Sequence, residues 1–276
     1  MPGPDFEYSN LSGRPPGPVL RALSHLIRGV RDVQDQVEPY AARWGQANLS
    51  ALAADGPLWV ALGDSMTQGI GASDYDRGWV GQLQTSGGSG IPGRLINLAS
   101  SGARVGDVLD RQLPALAALG RRPELVTVLI GSNDLIRPRH RKAFPAAFGR
   151  LLAELPRGSV VATLPNPSRA AAMANALLAA AVRDSGLVIA ELRGPRTSGW
   201  KGKLAADHFH PNDLGYAGIA AVFAEALAAR DSADPERGRY NDQQTQRDRD
   251  DCGPSQSKCD ARTAARPTAS GISELA

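Results

Sequence analysis

Five short apolar runs, separated by stretches with helical periodicity, constrain this chain more than any other feature. The runs are 58–62 (LWVAL), 94–98 (RLINL), 125–130 (LVTVLI), 159–164 (SVVATL) and 187–190 (LVIA). They are rich in Val, Ile and Leu and lack the alternation of a strand with one wet face. Helical stretches fall at about 78–86, 105–119, 141–155, 168–184 and 213–229. Continuously apolar strands that alternate with helices belong in a parallel sheet covered on both faces. The pattern predicts an α/β fold: a three-layer α/β/α sandwich with a five-stranded parallel sheet. Ligands of such sheets sit at the carboxyl ends of the strands. The segments that follow each run are therefore the place to look for chemistry.

The rest of the chain divides around that core. Residues 1–17 (PGP, SGRPPGP) read as an irregular N-terminal tail, and 18–56 as an N-terminal helical extension. Within it Val19, Leu20, Leu23, Leu26, Ile27, Val30, Val33 and Val37 recur at steps of three and four, so 18–44 reads as one amphipathic helix packed on the core. The α/β domain spans 57–230. Residues 231–276 are polar and mixed in charge, with too few large apolar side chains to offset the entropy of ordering, and read as a disordered C-terminal tail. The only cysteines, Cys252 and Cys259, lie in that tail and can staple no core.

Charge excludes some classes of function. Against 28 Asp and Glu stand 31 Lys and Arg, a net of +3, which leaves no strongly basic nucleic-acid arm. The longest uncharged helical stretch, between Arg169 and Arg183, is interrupted by Asn175 and falls short of the ~20 apolar residues of a membrane span. The N-terminus MPGPDFEYSN shows no secretory signal. The expectation is a cytoplasmic protein with no transmembrane segment and no nucleic-acid partner.

Chemistry-bearing residues cluster where the fold predicts. The first run leads into Gly63-Asp64-Ser65-Met66-Thr67-Gln68-Gly69, the third into Gly131-Ser132-Asn133-Asp134, and Asp207-His208-Phe209-His210-Pro211 precedes the last helical stretch. A serine hydroxyl is a weak nucleophile until a base takes its proton, and a histidine base needs an orienting carboxylate. Asp64 and Asp134 read as loop anchors. His208, His210 and Asp207 could hold a metal on an extended segment. His25 and His140 have no place in such a site and no HExxH occurs, so no metal is expected. No G-x-S-x-G elbow is present. Gly69-Ile70-Gly71 lacks the third glycine of a dinucleotide fingerprint, and Gly194 to Gly199 has P-loop spacing but Trp200 in the lysine position. No cofactor is expected.

Four blocks in this order resemble the SGNH, or GDSL, hydrolase family of esterases, lipases and thioesterases: GDSMTQG at 63–69, NLASSG at 97–102, GSND at 131–134 and DHFHP at 207–211. The resemblance covers about 57–229 and implies the flavodoxin-like SGNH hydrolase fold. It implies Ser65 as nucleophile, His210 as general base and then acid, and Asp207 as the orienter of His210. It also implies an oxyanion hole built from the N–H groups of Ser65 and Gly102 with the side-chain amide of Asn133. One departure stands in the second block, where Ala99 takes the place of the family's usual glycine.

The expected activity is that of a serine ester hydrolase cleaving a carboxylic ester or thioester, a lysophospholipase or thioesterase among the options. Two alternatives share the residues: an acyltransferase using the same site, and a non-catalytic binding module. The complete set of five argues against the last. Arg104, Arg137, Arg139, His140, Arg141 and Lys142 follow the second and third blocks, and Arg193, Arg196, Lys201 and Lys203 precede Asp207. They suggest a positive mouth that favours an anionic small-molecule acyl donor, with a merely solvated rim as the alternative.

Overall fold

A computed structural model describes residues 6–15, 17–88 and 90–233. One compact unit runs to Arg230, and a second begins at Asp231. From residue 234 on, the segment read as a disordered tail lies outside the described residues.

The five apolar runs form strands β1 (Leu58–Gly63), β2 (Arg94–Asn97), β3 (Leu125–Leu129), β4 (Val160–Ala162) and β5 (Val188–Ala190). Every pairing is parallel and the order is β2-β1-β3-β4-β5. All residues of β1 to β4 are buried, as two-sided coverage requires. Side chains of β1 alternate between two cores. Leu58, Val60 and Leu62 join one with Phe144, Phe148, Leu151 and Leu178. Trp59 and Ala61 join the other with Trp79, Tyr216 and Phe223. The structure is thus the expected α/β/α sandwich.

The helices between strands cover those two faces. After β1 come α4 (Ser65–Gln68) and α5 (Trp79–Thr85). After β2 come α6 (Val105–Asp107), a π-helical turn at Val108–Gln112, and α7 (Leu113–Ala118). After β3 come α8 (Ser132–Ile136), α9 (Pro138–Arg141) and α10 (Phe144–Glu154). After β4 comes α11 (Arg169–Ser185), and α12 (Asp213–Ala233) closes the described chain. Pro138 and Pro145 sit in the first turn of α9 and α10, where a missing N–H costs nothing. In the second core the rings of Trp79 and Phe223 stack at 4.1 Å. Truncating such a fully buried phenylalanine costs ~3–5 kcal/mol.

The N-terminal region departs from the single helix that periodicity predicts over 18–44. Three helices occupy it: α1 (Pro18–Leu26), α2 (Arg28–Gln34) and α3 (Val37–Ala53). Ile27 adopts an extended backbone, with φ −119° and ψ 112°, and breaks the first pair. The break lets Gly29 pack against the Ala206 carbonyl, where a Cβ would lie 2.3 Å from the oxygen. A turn at 35–36 separates α2 from α3, placing Pro39 in a first turn. Among the described residues no helix is long and apolar enough to cross a membrane.

The strand order sets the stage for the site. The chain enters at β1, steps to one side for β2, and crosses to the other for β3. The carboxyl end of β1 is therefore the point where the winding reverses, the crevice at which such sheets bind ligands.

Candidate active site

Ser65 stands two residues past the end of β1, at the start of α4, and is buried. Gly63 makes that turn possible: a Cβ there would lie 2.4 Å from the Leu129 carbonyl and 2.2 Å from the Thr67 hydroxyl. Gln112, in the π-helical turn, accepts from the Gly63 N–H and donates to its carbonyl, both at 2.8 Å. Its buried amide so fixes the strand end that carries Ser65. Asp64 caps α4 by accepting from the Met66 N–H at 3.0 Å.

A chain of hydrogen bonds leads away from the serine. Ser65 Oγ lies 3.0 Å from His210 Nε2, and His210 Nδ1 lies 2.6 Å from Asp207 Oδ2. Both ring nitrogens are thereby engaged, and the carboxylate at Nδ1 selects the tautomer that leaves Nε2 free to accept from Oγ. Asp207 Oδ1 also accepts the N–H groups of Phe209 and His210, each at 3.0 Å. Burial works against ionisation of Asp207. The hydrogen bond and charge of His210 and the two backbone donors outweigh it, holding the carboxyl below its ordinary range. His208, exposed at φ 55°, turns the chain so that Asp207 and His210 face one another. Gly71, at φ 96°, lets this loop close in, since a Cβ there would lie 2.7 Å from His210 Cβ.

The other two candidates are Gly102 and Asn133. Asn133 Nδ2 donates to the Ala103 carbonyl at 3.0 Å and approaches Asp64 Oδ2 at 3.5 Å. Its amide thus lies between the residue before Ser65 and the residue after Gly102. Gly102 is exposed at φ 76°, a conformation glycine tolerates without strain. Among the described residues, no acceptor takes the N–H of Ser65 or of Gly102. The neighbouring Asp134 accepts from the Val105 N–H at 3.1 Å and joins the two loops. Burial raises the carboxyl of Asp64 to about 7 against the opposing Met66 N–H, with the nearby Asp134 adding to the rise. Burial likewise raises Asp134, to about 6.

An unforeseen element completes this side. The irregular segment 6–15, read from sequence as a tail, is packed along the loop from Asn97 to Asp107. Tyr8 donates to the Leu98 carbonyl, and buried Asn10 donates to the carbonyls of Asn97 and Ala99 at 2.8 Å each. Arg14 donates to the Gly102 carbonyl at 3.1 Å and forks onto Asp107 at 2.7 and 2.6 Å. Ala99, the departure from the family pattern, is fully buried and contributes its carbonyl, which also accepts from Gln68 at 3.1 Å. No local pattern in SGRPPGP marks Arg14 for this contact.

The cations divide. Arg193 pairs with Glu191 and Arg196 with Glu225, so neither offers a free charge. Arg141 is spent on the carbonyls of Leu135 and Ile136. His140 is half-buried between Arg104 and Arg139.

Comparison with known proteins identifies the family. The model of the GDSL-like lipase/acylhydrolase family matches residues 61–217. Over 105 residues the chain is 36% identical to a lipase of Streptomyces rimosus, a match covering 35% of this chain and 38% of that lipase. The chain therefore spans well under half the length of that curated relative. A lipase/acylhydrolase from Enterococcus faecalis superposes with a TM-score of 0.51 at 20% identity, over 63% of this chain and 97% of that one. The psychrotrophic esterase EstA from Pseudoalteromonas sp. gives 0.49 at 21%, over 63% and 98%. At these identities the structural likeness is one of fold.

Proposed function

The chain belongs to the GDSL-like lipase/acylhydrolase family, and on that premise we propose that it is a serine hydrolase of carboxylic esters or thioesters. The observation that carries this reading is the continuous hydrogen-bonded path from Ser65 Oγ through His210 to Asp207, with steps of 3.0 and 2.6 Å. In the proposed reaction Ser65 Oγ attacks the acyl carbonyl carbon as its proton passes to His210 Nε2. The developing imidazolium is held by Asp207 through Nδ1–H. Negative charge gathers on the former carbonyl oxygen, where the N–H groups of Ser65 and Gly102 and the amide of Asn133 are its donors. The intermediate collapses with cleavage of the bond to the leaving group. The alcohol or thiol departs with the proton from His210, leaving an acyl-enzyme. Water, deprotonated by the same nitrogen, attacks the acyl carbon and releases the acid and Ser65.

Two features support the oxyanion assignment. The donors come from loops after β1, β2 and β3, which flank the reversal point of the sheet. The two backbone N–H groups also have no protein acceptor among the described residues. The test is hydrolysis of a p-nitrophenyl ester panel by Ser65→Ala. Turnover falls by ~10⁴-fold or more, while thermal unfolding and circular dichroism remain those of the parent. Appreciable residual turnover in a folded Ser65→Ala protein contradicts the assignment.

A further inference from the structure

Six arginines among the described residues pair with a carboxylate. Arg14 pairs with Asp107, Arg28 with Asp32, Arg77 with Asp213, Arg150 with Glu154, Arg193 with Glu191 and Arg196 with Glu225. One group does not. Arg104 Nη1 lies 3.2 and 3.1 Å from the two ring nitrogens of His140, and Arg139 Nε lies 3.1 Å from His140 Nε2. Among the described residues neither guanidinium has a carboxylate within ion-pair distance. Two permanent cations therefore converge on one imidazole, an arrangement that repels itself. Burial and the charges of Arg104, Arg139 and Arg137 all disfavour a further proton on that ring.

The cluster sits on the oxyanion side of the site. Arg104 follows Ala103, whose carbonyl holds the Asn133 amide, and precedes Val105, whose N–H is held by Asp134. His140 and Arg139 belong to α9, which directly follows the helix carrying Asn133. The same two loops that bring Gly102 and Asn133 together thus also bring Arg104 to Arg139 and His140. Asp107, engaged by Arg14 and by the Arg104 N–H, and Asp134 both feel the charge of Arg104, but neither carboxylate lies within ion-pair distance of its guanidinium. Guanidinium forks suit phosphate and carboxylate oxygens, and charge-assisted bonds of this kind are the strong ones.

We infer that Arg104, Arg139 and His140 form a subsite for a phosphate or carboxylate group carried by the ester substrate. The inference rests on the hydrolase reading above and names the substrate class: an acyl ester with an anion placed beside the oxyanion donors. The anion compensates the two cations, and its binding positions the acyl carbonyl.

The test has a binding arm and two kinetic arms. In folded Ser65→Ala protein, which needs no turnover, inorganic phosphate displaces the His140 ring resonances in NMR, and Arg104→Met/Arg139→Met abolishes that displacement. The first kinetic arm compares a short-chain 1-acylglycerol 3-phosphate with its 1-acylglycerol. The second compares p-nitrophenyl hydrogen glutarate with p-nitrophenyl pentanoate. We expect kcat/KM to favour the anionic member of one pair by about tenfold, with the ratio falling toward one in the double variant. The pair that responds tells whether the anion lies on the alcohol or the acyl side. Unmoved His140 resonances overturn the subsite whatever the enzyme hydrolyses. So does a preference that survives loss of both arginines, or ratios near one in both pairs. Failure of the hydrolase reading would look different: a wild-type Ser65 that does not react with a fluorophosphonate.

Discussion

The two sides of the candidate site are held by contacts of opposite range. Asp207 and His210 are three residues apart, and Asp207 binds both the ring and the backbone of His210. One tight loop, turned by His208 and admitted by Gly71, supplies everything except the serine. On the side of the proposed oxyanion donors, Gly102, Asn133 and Ser65 come from three loops. The contact that pins the Gly102 carbonyl comes from Arg14, 88 residues away in sequence. A local device tolerates changes elsewhere in the chain. A device assembled from distant pieces does not, so distant substitutions should reach the oxyanion donors and spare the His210 loop.

Four substitutions sharpen or break that contrast. The largest effect after loss of the nucleophile belongs to the local side. Asp207→Asn should lower kcat by ~10⁴, because the amide favours the wrong tautomer of His210; a tenfold loss or less would mean that the backbone alone orients the ring. Next is Asn133→Ala, for which kcat should fall by ~10²–10³ with little change in KM. An unchanged kcat would remove the amide from the donor set. Smaller still is Arg14→Ala, which frees the Gly102 carbonyl and leaves Asp107 without its fork. We expect kcat to drop about tenfold with KM nearly constant, partly restored in Arg14→Lys, and no change in the His210 geometry. Wild-type kcat in Arg14→Ala would show that the 97–107 loop supports itself and would dissolve the contrast.

The smallest effect is on stability and separates two carboxyls by sign. Burial raises Asp64 to about 7 from 3.8, so between about pH 4 and 7 the folded state binds this proton more tightly than the unfolded chain. Its contribution to stability is present at low pH and is lost as pH rises through that window. Asp207 is held below its ordinary range, so its contribution is present above the unfolded value and is lost as pH falls. Denaturant unfolding at pH 5 and pH 7.5 should show Asp64→Asn gaining relative to wild type at the higher pH. A gain equal at both values would mean that Asp64 stays ionised in the fold.

The same difference in range decides what the amino-acid sequence reveals. Ser65, Asp207 and His210 are legible because each stands in a short block after a strand or before a helix, and the Asp-x-x-His spacing is itself the hydrogen-bonded unit. The strands are legible as unbroken Val, Ile and Leu runs. Arg14, Asn10 and Gln112 are not, since their partners are carbonyls and N–H groups far along the chain, reached through no periodicity. Gly69 and Gly71 look like half of a dinucleotide fingerprint. Their φ of 83° and 96° and the approach of His210 to Gly71 show a packing requirement instead. The helix expected over 18–44 fails at Ile27, because one extended residue leaves the apolar spacing nearly intact. The contact between His140 and Arg104 is not legible either, because Arg104 arrives from a different loop.

The central claim is that the Ser65 hydroxyl is activated by His210, and covalent capture tests it most directly. Wild-type protein treated with a fluorophosphonate should gain one adduct mapped by peptide mass spectrometry to Ser65, and His210→Ala should lose it. An adduct on another residue, or labelling of Ser65 that is equally fast without His210, would contradict the account.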